Sequence, residues 1–158
     1  MKLTDEQIEQ IAESIEAGFT CKINPDTGEI EEIRGNDEFD LIPDEDDEYF
    51  EDYLESETEL EKEIRLELKA QTERINSWKR IIVIEKPDSF EAFLFMEDFV
   101  NEVIPETEQE MYRKALKSKG PFSNFNVLIH DSEHLDKWYE FKKKELIDYV
   151  TKQLNSSC

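Results

Sequence analysis

The stretch FTCKINPDTGEIEEI, residues 19–33, carries the clearest structural signal in the chain. Apolar and polar residues alternate from Phe19 to Ile23, as they do on a strand with one buried face. Residues Asn24 to Gly28 are turn-forming types, and Gly28 suits the left-handed position of a type I turn followed by a bulge. Residues 19–33 are therefore predicted to form a β-hairpin.

A helix before the hairpin and a strand after it are the next clearest signals. A capping box at residues 4–7 predicts a helix over residues 5–17 that ends at Gly18. Farther along the chain, the β-branched run at residues 80–85 predicts a third strand of the same sheet, buried on both faces. The sheet is therefore expected to be small and antiparallel.

Helical periodicity recurs through the rest of the chain. A helix over residues 56–78 is predicted to place one apolar face on the core, with Glu61 and Arg65 as an ion pair. Apolar residues, four of them phenylalanines, cover most of the circumference of the next helix, residues 88–104, which is expected at the centre of the core. Three more helices are predicted around residues 111–116, over residues 122–129, and from a cap at Ser132 onward. These elements predict a single α+β domain over residues 1–158, with a small antiparallel sheet packed against several helices.

Acidic residues are concentrated in the first part of the chain. Residues 1–60 hold 22 acidic side chains and three basic ones, whereas the other 98 residues hold 19 acidic and 16 basic ones, within a formal charge of -22. Such a surface repels nucleic acid and anionic membranes, and it attracts cations or basic protein faces. The densest part is the acidic segment, about residues 36–58, and the sequence leaves open whether it is ordered.

The acidic segment also contains aromatic residues, which a purely acidic tail would lack. A short amphipathic helix there is expected to pack its aromatic side chains on the core. We expect the segment to bind a basic protein surface, because charge steers encounter while buried aromatic side chains hold the partner. The residues predicted to bind are Asp44, Asp46, Asp47, Glu48, Tyr49, Phe50 and Tyr53. The favoured function is thus an acidic protein-interaction or regulatory module.

Both histidines of the chain lie in the sequence HDSEH, residues 130–134. Two imidazoles four residues apart can share a metal ion, so His130 and His134 are candidate ligands of a metal-binding protein or a metal-dependent enzyme. A cap at Ser132 would separate them, and two surface histidines near a helix start are the competing interpretation. No cofactor and no catalytic residue is assigned, because no nucleophile or phosphate-binding loop accompanies these residues. Enzymatic activity is not favoured.

Lysines 142–144 form the strongest basic run and lie close in sequence to Trp138. Basic residues beside aromatic ones are typical of nucleic-acid-binding surfaces, although the net charge of the molecule opposes the approach of phosphate. These lysines could instead receive the acidic segment of the same chain or of a second subunit. The oligomeric state stays open.

The composition also bears on the cellular compartment. Residues 1–6 are charged where a signal peptide needs an apolar core, and the longest apolar run is only Ala92 to Met96. This pattern predicts a soluble cytoplasmic protein without membrane association. Cys21 and Cys158 form neither a metal-binding spacing nor a disulfide framework, so both are expected to be free thiols.

Three blocks in the second half of the chain resemble a family of small uncharacterised bacterial proteins. The blocks are MEDF at residues 96–99, GPFSNF at residues 120–125 and WYEF at residues 138–141. The resemblance extends to the hairpin and covers most of the chain apart from the acidic segment. It implies an α+β fold and a bacterial cytosolic context, and it carries over no activity.

Overall fold

The computed structural model describes residues 3–34 and 45–157, which form a three-stranded antiparallel sheet and seven helices. The predicted α+β fold class is confirmed. The strands are β1 (Phe19–Ile23), β2 (Ile30–Arg34) and β3 (Ile82–Ile84). The helices are α1 (Asp5–Glu16), α2 (Phe50–Ser56), α3 (Glu59–Asn76), α4 (Ser89–Glu102), α5 (Glu106–Leu116), α6 (Pro121–His130) and α7 (Leu135–Ser156).

The predicted hairpin is present, and its first strand, β1, is the centre of the sheet, whose strand order is β2-β1-β3. Gly28 adopts a positive φ of 83°, and its N–H donates to the Asn24 carbonyl over 2.8 Å. The third strand pairs with β1 in antiparallel fashion, and Ile82 lies opposite Ile23. The hairpin, its glycine turn and the third strand are therefore confirmed.

The two faces of β3 differ in burial. Ile82 and Ile84 are buried, whereas Val83 between them is 48% exposed. The prediction of a strand buried on both faces was wrong, because α1 and α7 pack on the side of Ile82 and Ile84. The capping box at residues 4–7 is present, and α1 ends one residue earlier than predicted, with Gly18 at φ 97° shortly after it.

The buried apolar side chains form two clusters, and α7 contributes to both. The sheet cluster comprises Leu3, Ile11, Ala12, Ile15, Cys21, Ile23, Ile82, Ile84, Leu146 and Val150. The aromatic cluster comprises Met96, Phe99, Val100, Ile104, Tyr112, Leu116, Phe125, Ile129 and Trp138. Since α7 is 22 residues long, it is the element that joins the two clusters.

Helix α4 lies at the centre of the aromatic cluster through Phe99. The Phe99 ring lies 5.2 Å from the Trp138 ring and 5.4 Å from the Phe141 ring, measured between centroids. Near the start of the same helix, however, Phe90 is 69% exposed. The apolar residues around the circumference of α4 are therefore not all buried, because the helix packs against its neighbours on one side and exposes Phe90 on another.

The helix predicted over residues 56–78 is α3, which begins at Glu59, and the short helix predicted within the acidic segment is α2, which ends at Ser56. The Thr58 hydroxyl accepts the Glu61 N–H over 3.2 Å and so caps α3. The predicted apolar face of α3 is only partly covered: Leu60 is 66% exposed, and Ile75 is the buried residue of this helix. Periodicity alone had indicated a core helix, but α3 is largely solvent-exposed.

The turn between α6 and α7 also differs from the prediction. His134, not Ser132, is the N-cap residue of α7. The Ser132 hydroxyl lies earlier in the turn and accepts the His134 N–H over 3.1 Å, which holds the backbone of the turn. Among the described residues, no helix combines the length and the apolar character needed to cross a membrane.

Candidate functional sites: an acidic arm and a histidine–carboxylate cluster

Residues 45–64, which we call the acidic arm, comprise the described part of the acidic segment together with the start of α3. The arm contains eleven acidic side chains and one basic one, Lys62. Ten of the eleven acidic residues are exposed, and Glu57 is the partly buried exception. Because so few cations lie within it, the arm presents an almost unneutralised negative surface to solvent.

Two ion pairs hold the arm to the remainder of α3. Arg65 donates two parallel hydrogen bonds to the Glu57 carboxylate, of 3.0 and 2.9 Å, instead of pairing with Glu61 as predicted. This bidentate pair lowers the pKa of Glu57. Lys69 lies 3.1 Å from the Glu45 carboxylate, in a more exposed position. The arm is therefore attached to α3 at both ends of α2.

Helix α3 is in turn attached to the edge strand β2 by polar contacts. Gln71 donates to the Glu32 backbone carbonyl over 2.8 Å, and so occupies an acceptor that an edge strand leaves unpaired. Arg74 donates to the Glu31 carboxylate over 2.7 Å, and this contact lowers the pKa of Glu31. Since Ile75 is the buried residue of α3, these polar contacts account for much of its docking.

Replacing Arg74 with Gln is expected to raise the pKa of Glu31 towards its ordinary range. A carboxyl group whose pKa is lowered by folding stabilises the fold above its ordinary pKa, and this contribution is lost as the pH falls through the lowered value. In Arg74→Gln this stabilising contribution is therefore reduced, so less stability is lost on acidification. Carboxyl carbon NMR of Glu31 during a pH titration measures the shift, and Lys62→Gln on the same helix is the control. An unchanged Glu31 midpoint would contradict the proposed attachment.

The residues predicted to bind a partner are grouped as the sequence indicated, but their aromatic members do not pack as expected. Asp46, Asp47 and Glu48 are all exposed, and Tyr49 is 64% exposed. Phe50 and Tyr53 are half-buried, and neither belongs to the sheet cluster or the aromatic cluster. Asp44 lies outside the described residues. The expectation that α2 packs its aromatic side chains on the core was therefore wrong, because α2 rests on α3, itself an exposed helix.

The lysines at residues 142–144 contact a different acidic surface from the one predicted. Lys142 lies 3.2 Å from the Glu16 carboxylate and 6.0 Å from the centre of the Trp138 ring. Lys143 forms an ion pair with Glu9, which raises the pKa of the lysine. Both partners belong to α1, so these two lysines bind α1 and not the described part of the acidic segment. Because these ion pairs partly neutralise the two lysines, less positive charge remains to bind a nucleic acid.

The two histidines differ in their surroundings. The His134 side chain is 3% exposed, and its Nε2 atom lies 3.1 Å from the Glu108 carboxylate and 4.0 Å from the Glu133 carboxylate. His130 is exposed at the end of α6 and places its ring against that of Tyr139. The interpretation of two surface histidines was therefore wrong for His134. The predicted pairing of His130 with His134 is replaced by a histidine–carboxylate cluster of Glu108, Glu133 and His134.

Sequence reasoning missed Glu108 because it lies 26 residues before His134, on a different helix. No local spacing connects the two residues, and the packing of α5 against the start of α7 brings them together. Glu97 and Asp98, two of the carboxylates on α4, are exposed. The Cys21 thiol is buried, and burial, with Glu32 nearby, raises its pKa to about 11, so it stays protonated and is a poor nucleophile.

Comparison with protein families gives one informative match. Residues 29–157 match the model of UPF0158, described as an uncharacterised protein family. The matched range begins within the hairpin turn and runs through the acidic segment, which the resemblance in the blocks had left out. No curated protein and no solved structure matches the chain. Since the match covers most of its length, the chain belongs to the uncharacterised protein family UPF0158.

Proposed function

We propose that this protein is an acidic protein-interaction module that uses the acidic arm to bind a basic, partly apolar surface of another protein. The observation that carries the proposal is the combination of exposed carboxylates with exposed apolar side chains in one stretch. Tyr49 and Leu60 both expose about two thirds of their surface among the acidic residues of the arm. Carboxylates accelerate and orient encounter, whereas aromatic and aliphatic side chains supply the burial that holds a complex.

The attachment of the arm supports this role. An ordered binding surface loses less conformational entropy on association than a disordered one. The Glu57–Arg65 pair orients α2 against α3, and the contacts of Gln71 and Arg74 with β2 orient α3 against the sheet. The arm is therefore displayed on a scaffold whose two core clusters contain none of its residues.

The charge of the remaining surface supports a basic partner in trans. Lys142 and Lys143, which could have neutralised the arm within the chain, are paired with the glutamates of α1. The arm keeps ten exposed carboxylates, so a partner with clustered Lys or Arg side chains gains favourable electrostatic energy on approach. Such steering weakens as salt is added, because exposed charges are screened.

The test is quantitative affinity purification with a triply neutralised bait, Asp46→Asn/Asp47→Asn/Glu48→Gln. The matched control neutralises three exposed carboxylates elsewhere, Glu106→Gln/Glu110→Gln/Asp136→Asn. Partners that use the arm should be retained by the wild type and by the control, and less by the arm variant. For a partner identified in this way, the association rate with the arm variant, measured separately, should fall about tenfold or more. Equal retention by all three baits would refute the proposal.

A second pair of variants tests the apolar part of the surface. Tyr49→Ala should increase the dissociation rate of such a partner about tenfold, as expected for an aromatic anchor at an interface. Tyr139→Ala, which removes an exposed tyrosine from α7, is the control and should leave the rate unchanged. Binding kinetics at increasing salt separate the two contributions, since added salt should slow the association mediated by the carboxylates while the effect of Tyr49→Ala persists.

A further inference from the structure

We propose that Glu108, Glu133 and His134 form a binding site for a divalent transition-metal cation of the zinc type. The three residues come from α5 and from the turn that precedes α7, so a bound cation would join these two elements. This site is separate from the acidic arm, and the interaction proposed for the arm does not depend on it.

The distances fit a shared cation. One ligand atom from each of the three side chains can be chosen so that all lie within 4.8 Å of one another. The Nε2 atom of His134 is 3.1 Å from the Glu108 oxygen and 4.0 Å from the Glu133 oxygen. With metal–ligand bonds of about 2.0–2.2 Å, two ligands of one tetrahedral zinc ion lie about 3.3–3.6 Å apart. Small movements of the two carboxylates would therefore place the three ligand atoms at three corners of a tetrahedron around one cation.

The ligand types select the class of cation. An imidazole with two carboxylates suits zinc and similar transition metals, whereas calcium and magnesium favour sites made of oxygen alone. Two carboxylates also balance the charge of a divalent ion. No ion pair between described residues joins Glu108 or Glu133 to a lysine or arginine, so these carboxylates keep their negative charge for a cation.

The site is anchored on one side and open on the other. His134 is fixed by its buried ring and by the hydrogen bond from its N–H to Ser132, whereas Glu133 is 84% exposed and Glu108 is partly exposed. A hydrated ion can therefore approach from solvent and lose water to preplaced ligands. The remaining coordination positions face solvent, which resembles sites that retain an exchangeable water more than closed structural sites.

The Nδ1 atom of His134 is buried and lacks a hydrogen-bond partner among the described residues. Buried polar groups are nearly always paired, whereas a cation held by Nε2 of His134 would leave Nδ1 without a partner among the described residues. A metal-bound imidazole normally donates its second N–H to an acceptor, and loss of such a contact weakens binding about 10–100-fold. We therefore expect affinity in the micromolar range.

Isothermal titration of the full chain with Zn²⁺ tests the site, in a Cys158→Ser background that removes chelation by that thiol. One equivalent should bind with micromolar affinity, and Ca²⁺ and Mg²⁺ should bind this site more weakly. Glu133→Gln, at an exposed position that should not disturb folding, should weaken zinc binding at least about tenfold, and so should Glu108→Gln. Glu106→Gln, on the same helix outside the cluster, should leave the affinity unchanged.

Nitrogen NMR of the two imidazoles identifies the ligand atom. Zinc should shift the Nε2 resonance of His134 and leave the nitrogens of His130 unshifted. The proposal is overturned if no zinc binds at millimolar concentration, if Glu108→Gln and Glu133→Gln both bind like the parent protein, or if the His134 resonances do not respond. In the second case the ion would be held elsewhere, for example by the exposed carboxylates of the arm.

Discussion

Phe99→Ala is expected to lower the free energy of unfolding by about 3–5 kcal/mol, which is the usual cost of deleting a buried phenylalanine ring. Phe99 is fully buried, and its ring packs against those of Trp138 and Phe141. The substitution leaves a cavity between α4 and α7 and removes two aromatic contacts, each of which adds about 0.5–1.5 kcal/mol beyond the area that it buries.

Phe90→Ala is the matched control, because it makes the same chemical change on the same helix. Phe90 is largely exposed, so the unfolding free energy should change by no more than about 0.5 kcal/mol, as is usual for surface substitutions. Denaturant titration with common baselines compares the two variants. Similar losses for both would show that α4 is buried around its circumference, as its sequence suggested, and would contradict the packing described above.

Residues 29–157 expressed alone are expected not to fold cooperatively, although they span the whole UPF0158 match. This fragment lacks β1, the central strand that pairs with both β2 and β3. It also lacks α1, and removal of residues 1–28 takes away much of the sheet cluster, including Leu3, Ile11, Ile15 and Ile23. Burying one large aliphatic side chain contributes about 1.5–3 kcal/mol, so losing four is comparable with the entire stability of a typical domain, about 5–15 kcal/mol.

Circular dichroism during thermal unfolding, with dye binding to exposed apolar surface, distinguishes the outcomes. The fragment should lack a cooperative transition and bind the dye, whereas a chain shortened by residues 157–158 should unfold like the parent. Addition of a separate peptide of residues 1–28 should restore part of the transition by supplying α1 and β1. A fragment that unfolds cooperatively at the parental temperature would show that the sheet is dispensable.

Local patterns predicted the hairpin well because its signals depend on neighbouring residues. Alternation over β1 and the left-handed preference of Gly28 need no distant partner. The capping box of α1 is likewise a contact between residues three apart, Thr4 and Gln7. These elements appear where the sequence placed them.

Predictions about burial failed where distant packing decides the outcome. The apolar residues of α3 have helical spacing, yet Leu60 stays exposed because the sheet edge accepts α3 mainly through Gln71 and Arg74. Val83 was likewise predicted to be buried, but it is 48% exposed because no described element fully covers its side of β3. Periodicity reports which side chains share a face, but it does not report whether another element covers that face.

The two candidate sites differ in the same way, because one is continuous in sequence and the other is assembled from distant residues. The acidic arm was recognisable from composition, since charge density and recurring aromatic residues are properties of a continuous stretch of chain. The histidine–carboxylate cluster was only half recognisable, because His134 was singled out with His130 as its companion. The sequence by itself determined the hairpin, the helical segments and the charge of the arm, all of which arise from contacts between near neighbours. Only the tertiary structure decided that Glu108 meets His134 and that the lysines of α7 meet the glutamates of α1, because those contacts depend on how separate helices pack.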